Sequence, residues 1–231
     1  MNSPARIRVF SGGAPQHVFN QLTPTFEQQA GCGVDYVFEV TSALDARLAA
    51  GEMADVLVLP VPILDGHAKA GTLRGDGRAT FGSVDVTVVV REGAAKPDIS
   101  TKDKFRAAML AARSIALSPP GRTPSGTHLG KVMEELGIAD AVAKKAMYKP
   151  ALAGGVEQVV SGGADIGIYP ASEVTVKGLS VVGPLPPGLS LSIVYGGAAT
   201  AGSGDAAVGF VKFMAAPENR AVWTSAGFKP A

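Results

Sequence analysis

The chain has a single cysteine, Cys32, among its 231 residues. No internal disulfide can form and no second thiol is at hand for a metal site, so Cys32 reads as a small buried apolar residue. Histidine is scarce as well: only His17, His67 and His128 occur, and none stands in a His-x-x-x-His spacing that would seat a metal. There is no Gly-x-Ser-x-Gly elbow and so no recognisable serine-hydrolase frame. Charged residues make up 18% of the chain, with a formal net charge of +1 and no long run of either sign. That balance gives neither nucleic acid nor an anionic membrane a footing. No apolar stretch reaches the roughly 18 residues needed to span a bilayer, and there is no internal repeat and no low-complexity tail.

The start, Met1-Asn2-Ser3-Pro4-Ala5-Arg6, has neither a basic n-region nor an apolar h-region. A chain native as given is expected in the cytoplasm; one whose signal peptide was replaced by methionine looks the same and is expected in the periplasm.

What is present is a hydrophobic fraction of 46%, enough for a sizeable core in one large domain or in two lobes of about 100 residues each. Strand and helix patterns alternate along the chain. Strands are expected over 7–10, 34–40, 55–60, 84–91, 114–117, 165–168, 179–183 and 191–196. Helical stripes lie between them: Val18, Leu22 and Phe26 recur at i, i+4 and i+8, with Thr23-Pro24 suited to cap and restart that helix. Residues 71–81 read as a turn-rich segment, and 101–112, 128–136, 156–161, 206–214 and 217–226 as helices. This order predicts an α/β fold with mostly parallel sheets flanked by helices. The strands 84–91 and 191–196 both follow turn-rich stretches and read as crossings between lobes. Lobe 1 is then residues 1–82 plus 195–231, lobe 2 is 83–194, and a cleft is expected where the carboxyl ends of their strands face one another.

Three strand-to-helix junctions have the chemistry of an anion cradle. Ser11-Gly12-Gly13-Ala14-Pro15 ends the first strand: glycine admits close approach, serine donates and accepts, and helix-start amides carry partial positive charge. Thr41-Ser42-Ala43-Leu44 repeats the design. The third, from Ser118 to His128, suits Thr123 as N-cap and Pro124 as first helical residue, which would leave the Ser125, Gly126 and Thr127 amides pointing outward. Arg122 is either a bidentate hand for an oxyanion or a solvated loop charge. Gly154-Gly155-Val156 starts a fourth helix and would otherwise be a tight connection. Asp55 and Asp165, each just before a strand, read as capping or pinning a turn rather than as catalytic acids, and Trp223 with Phe228 as core of the first lobe.

In these motifs the chain resembles the type II periplasmic solute-binding proteins, closest to the molybdate-binding group of ABC transporters. The resemblance rests on Ser11-Gly12-Gly13-Ala14, Thr41-Ser42-Ala43-Leu44, Ala50 through Val56 leading to Pro60, Pro124-Ser125-Gly126, Gly163 through Ile168, and the ending Phe210-Val211-Lys212-Phe213-Met214 with Pro217-Glu218. It spans essentially the whole chain. It implies a two-lobed binding protein that closes by a hinge over a small oxyanion, held without countercharge by Ser11 and Ser42 from one lobe and the Ser125 and Val156 amides from the other; Gly12, Thr41, Arg122 and Gly126 in the cradles are further candidate ligand residues. Molybdate binders of this group add a tyrosine after the Gly-Ile strand. Pro170 stands there in this chain, with Tyr169 one residue early and so on the opposite strand face. That difference and Arg122 make an organic polycarboxylate the substitute ligand. The implied partner is an ABC importer permease; the chain is expected to be a monomer with no cofactor and no metal. The alternative is an organic-acid isomerase resembling aconitate isomerase, which moves a proton between cis and trans tricarboxylates. His17 and His128, each three residues past a cradle, are the candidate bases.

Overall fold

The computed structural model describes residues 5–230; the reading of the first four residues as lacking a leader lies outside them. The chain divides into two compact units, one of residues 1–84 and 193–231 and the other of residues 85–192.

The first unit contains β1 (Arg6–Ser11), α1 (Gln16–Ala30), β2 (Gly33–Phe38), α2 (Thr41–Ala49), β3 (Val56–Pro60), α3 (Val61–Lys69) and the first part of β4 (Leu73–Arg91). The second unit follows with the rest of β4, α4 (Lys102–Ala111), β5 (Ile115–Leu117), α5 (Pro124–Glu135), α6 (Ala139–Ala143), β6 (Ala146–Tyr148), α7 (Gly155–Val160), β7 (Ile166–Pro170) and β8 (Leu179–Pro184). The chain returns through β9 (Ser192–Thr200) and closes the first unit with α8 (Asp205–Met214), α9 (Arg220–Ser225) and β10 (Lys229–Pro230).

In the first unit the strand order is β2-β1-β3-β9-β4, with β10 on β4. β1 pairs in parallel with β2 and β3, whereas β9 is antiparallel to β3 and β10 to β4. In the second unit β5 runs parallel to β6 and β7, while β7 and β8 flank β4 antiparallel. The parallel pairing expected from the α/β order therefore holds for the β–α–β cores, and antiparallel strands complete both sheets.

β1 alternates its faces. Phe10 meets Leu44, Leu57, Leu59, Leu64 and Ala198. An aromatic cluster joins Phe19, Phe81, Phe210 and Trp223, with Trp223 4.9 Å from Phe81 and Phe228 between ring centroids. All the aromatic residues except Phe105, Tyr148 and Tyr169 belong to this unit. Trp223 and Phe228 are buried as read from the sequence, and the indole N–H donates to Met214 O at 2.8 Å. The core of the second unit gathers Ala116, Val156, Val159 and Tyr169.

Two local expectations need correction. α1 does not restart at Thr23-Pro24 but runs through it, with Pro24 inside the helix. Burial of Val18, Phe19, Leu22 and Phe26 outweighs the one backbone bond that proline removes, and Thr23 spends its hydroxyl on the Tyr36 phenol at 2.5 Å. Residues 73–81 are not turns but the first half of β4. Gly77 is needed there, since a Cβ would stand 2.6 Å from Ala199 Cβ on β9. Short α6 and β6 fill residues 139–148, where no periodicity was legible.

Candidate functional site

In each unit the carboxyl ends of the parallel strands feed directly into helix starts, and the buried polar residues collect there. Among the described residues the buried polar side chains are Ser11, Thr41, Thr87, Ser118, Ser125, Ser172, Ser203 and Asn219, none of them charged. Ser11 and Thr41 lie at the ends of β1 and β2; Ser118, Ser125 and Ser172 follow β5 and β7.

Ser11, at 0% exposure, pairs with Phe38 on one side and Val58 on the other. Its hydroxyl turns back to donate to Gly12 O at 2.8 Å. The Gly12 amide is not free: it extends the ladder by donating to Val58 O at 3.1 Å. The Gly13 and Ala14 amides make no backbone hydrogen bond among the described residues, so the open donors of this loop sit one and two residues later than Gly12. Gly12 instead provides room, because Tyr195 lies against it.

α2 starts two residues after β2 ends, with Val40 in the cap position and no side chain capping it. The first helical bonds reach back to Val40 from Ala43 and Leu44, so the Thr41 and Ser42 amides precede the ladder. Neither hydroxyl has a partner among the described residues. The helix is held from its other end: Arg47 in the last turn bonds Glu39 (Nε to Oε1, 3.0 Å) and Glu52 (Nη1 to Oε2, 2.9 Å), and Arg8 also pairs with Glu52. Arg47, with Arg8 behind it, holds the Glu52 carboxyl below the usual carboxylate range. These ions are surface pins that orient α2, and each contributes little by itself.

In the second unit Thr123 caps α5 and Pro124 begins it, as the sequence indicated. The three outward amides expected there are reduced to one. Gly126 N–H donates to the Thr123 hydroxyl at 3.0 Å and Thr127 N–H to Thr123 O at 2.9 Å, since the cap that begins the helix also consumes its donors. Ser125 N–H remains, beside its own hydroxyl 3.3 Å from Thr123 Oγ1. Gly126 is a packing residue: a Cβ would come 2.2 Å from Pro119 O and 2.8 Å from Ser118 O. Arg122 is exposed and forms no ion pair among the described residues. Gly155 N–H turns to Pro150 O at 3.0 Å, leaving the Val156 amide in the first turn of α7.

Tyr169 is fully buried and donates to Lys149 O at 3.1 Å, its phenol 2.4 Å from where a Gly155 Cβ would be. It supports the start of α7, and burial raises its pKa. Of the candidate bases, His17 is exposed on α1, and the half-buried His128 has Nε2 2.7 Å from Leu189 O, the geometry of a packing histidine. His67 approaches Asp45 and Thr72 on the surface of the first unit. Asp55 and Asp165 pin strands: Asp55 accepts from Arg8 N–H at 2.7 Å and Asp165 from Arg113 N–H at 2.8 Å. Burial pushes the Glu173 carboxyl up to about 7, one residue past the unpartnered Ser172 hydroxyl. Among the described residues no cluster of His, Cys, Asp or Glu could hold a metal ion, and no helix is long and apolar enough to cross a membrane. Ser118, the first residue of the third cradle, is buried, whereas the buried Ser172 was not singled out from the sequence.

Two α/β units whose parallel strands end in uncharged, hydroxyl-lined helix starts define a solute-binding architecture. The chain belongs to the bacterial extracellular solute-binding protein family, whose model matches residues 7–229. The fold is shared with the periplasmic molybdate-binding protein of Azotobacter vinelandii (21% identity, 97% of this chain and 99% of that one, TM-score 0.79). It is shared also with the sulfate-binding protein SubI of Mycobacterium tuberculosis (23% identity, 98% and 87%, TM-score 0.76). Among curated relatives, an aconitate isomerase from a Pseudomonas species is 28% identical over 97% of this chain and 87% of its own length.

Proposed function

We propose that this protein captures a small oxyanion or organic carboxylate with neutral donors at the strand ends: in the first unit the Ser11, Thr41 and Ser42 hydroxyls and the Gly13 and Ala14 amides, and in the second, taken by itself, Ser125 and the Val156 amide. The reading rests on one observation above all, the concentration of buried, uncharged hydroxyls at the carboxyl ends of the parallel strands. Hydrogen bonds to an anion are stronger than neutral ones. A site of this kind selects by size and protonation state rather than by charge alone. Arg122, exposed and without an ion pair beside the α5 cap, favours a carboxylate as ligand, because a guanidinium pairs two carboxylate oxygens at once. Delivery of that ligand to an ABC importer permease is the biological role that this reading carries.

A second reading, isomerisation of an unsaturated tricarboxylate, draws on the likeness to aconitate isomerase. It needs a base, for which His17, exposed on α1, and His128, with Nε2 2.7 Å from Leu189 O, are the candidates.

A thermal-shift panel of dialysed protein with molybdate, tungstate, sulfate, phosphate, citrate, cis-aconitate and trans-aconitate tests both. A ligand at about 100 times its dissociation constant adds roughly 2.7 kcal/mol. Stabilisation by tricarboxylates is the expected result, and proton NMR then separates binding from cis–trans conversion. Stabilisation by molybdate and tungstate alone would overturn the carboxylate assignment, and silence across the panel would overturn the anion site.

A further inference from the structure

We infer that the second unit carries an organic-anion site of its own, at the amino end of its parallel strands, where Arg91 receives a carboxylate and small apolar side chains hold the body attached to it. The site is separate from the strand-end cradles and does not depend on them. β4 is antiparallel to β7 and ends at Arg91, so that residue lies at the end of the sheet where β5 and β7 begin, opposite Ser118 and Ser172. A cavity of about 560 Å³ opens there. Val90, Ala94, Ala108, Ala111, Ala164 and Ile166 give it apolar walls, and its charged lining residues are Arg91, Arg113 and Asp165. Arg113 and Asp165 satisfy each other: Nη2 donates to Oδ1 at 2.7 Å, while Nε and the backbone N–H donate to Oδ2 at 3.1 and 2.8 Å. That leaves the charge of Arg91 unbalanced. Its guanidinium forms no ion pair and no side-chain hydrogen bond among the described residues. Nη1 lies 3.4 Å from the position a Gly162 Cβ would take, against the turn between α7 and β7.

Size and charge together select the ligand class. The cavity falls within the roughly 300–1,000 Å³ of small-molecule clefts and is far larger than a bare inorganic ion fills. A guanidinium with its N–H fork unused matches a carboxylate, which takes two of its bonds at once, and the alanine-rich walls offer apolar surface to bury. A carboxylate on a short apolar body uses both features. Here, unlike in the hydroxyl-lined cradles, a full charge does the holding, so binding is sensitive to salt.

The test is an NMR titration read at the backbone amides of the full chain, wild type and Arg91→Gln, with sodium hexanoate and with hexanol as its uncharged counterpart, each to about 10 mM. The expected result is a saturable shift of the Ala94, Ala95, Gly162 and Ala164 amides in the wild type, weakened about tenfold both in Arg91→Gln and when hexanol replaces the carboxylate. Equal hexanoate affinity in the two proteins overturns the inference, as does a wild type in which those amides do not move. Shifts at Gly13, Ala14 and Ser125 instead overturn it as well, but leave anion capture at the strand ends standing. Arg91 is exposed, so the variant should keep the wild-type melting midpoint. Should it fall, the wild type alone decides. Hexanoate affinity, taken relative to hexanol, drops several-fold between about 0.01 M and about 0.1 M salt if a guanidinium holds the anion, and salt-independent affinity overturns the assignment.

Discussion

Two glycines on one helix face opposite demands, and replacing each by alanine gives a measurement with an internal control. Gly126 lies in the first turn of α5 with its α-hydrogen against the preceding loop. A methyl group there would sit 2.2 Å from Pro119 O, 2.7 Å from Pro119 C and 2.8 Å from Ser118 O. These are backbone atoms that cannot swing aside, and the shortest contact is about 1.3 Å inside the 3.5 Å at which carbon contacts become favourable. Relief requires moving the start of α5, which would stretch the Gly126 N–H bond to Thr123 Oγ1 and weaken a cap worth about 1 kcal/mol. Overpacking adds about 1–3 kcal/mol. Against this stands the helix propensity of alanine, about 1 kcal/mol in its favour. The clash wins, and Gly126→Ala is expected to destabilise by about 1–3 kcal/mol. Gly130, one turn further along, would bring its methyl to 3.8 Å from Pro120 Cβ, an ordinary contact, so propensity decides and Gly130→Ala should stabilise by about 0.5–1 kcal/mol. Urea denaturation of the two variants side by side, followed by circular dichroism, reads the difference. Equal stability of the two would refute the argument that loop backbone, rather than helix propensity, dictates glycine at 126.

Two further predictions concern the hydroxyls and a raised carboxyl. Ser11→Ala should lose about 1–3 kcal/mol of binding free energy for whichever panel ligand the protein takes, read by calorimetry, and unchanged affinity would remove Ser11 from the site. Glu173 has its folded pKa pushed up to about 7 by burial, above the ordinary value of about 4.3. Its contribution is thus fully present below about pH 4.3 and lost as pH rises through about 7. Glu173→Gln should accordingly gain on the wild type between those limits, by on the order of 1–3 kcal/mol at the upper end; parallel stability curves across the window would show that Glu173 ionises as if in water.

What the sequence disclosed followed from rules that operate over a few residues. Thr123-Pro124 as cap and first turn and the α/β order both depend on neighbours or on short periods, and both are seen. What it concealed depended on partners distant in the chain. Gly75 and Gly77 read as turn residues because nothing nearby reveals that β9 passes so closely that only glycine fits at 77. Pro24 read as a restart because Phe19 and Phe26 gain their value from partners distant in the chain, Phe210, Phe213 and Trp223 among them. The cradles were recognisable as loops but not as donor sets. Gly126 and Gly12 look equally free in sequence, yet one amide belongs to Thr123 and the other to Val58, 46 residues later.

The use of hydroxyls rather than ammonium groups has an energetic consequence for how such a site rests when empty. A buried, unpaired charge costs several kcal/mol, and the described residues bury none in these cradles. A hydroxyl avoids that cost by turning onto a neighbour, as Ser11 does to Gly12 O at 2.8 Å and Ser125 to Thr123 at 3.3 Å. A ligand must therefore displace a resting bond at each such donor. Since a bond to a charged partner is worth about 1.5–3 kcal/mol and a neutral one about 0.5–1.5, the net gain is on the order of 1 kcal/mol per donor. Micromolar affinity requires about 8 kcal/mol, more than Ser11, Thr41 and Ser42 supply together. In the proposed site the open Gly13 and Ala14 amides must add to these hydroxyls to approach it, and the hydroxyls on their own would bind an anion only weakly.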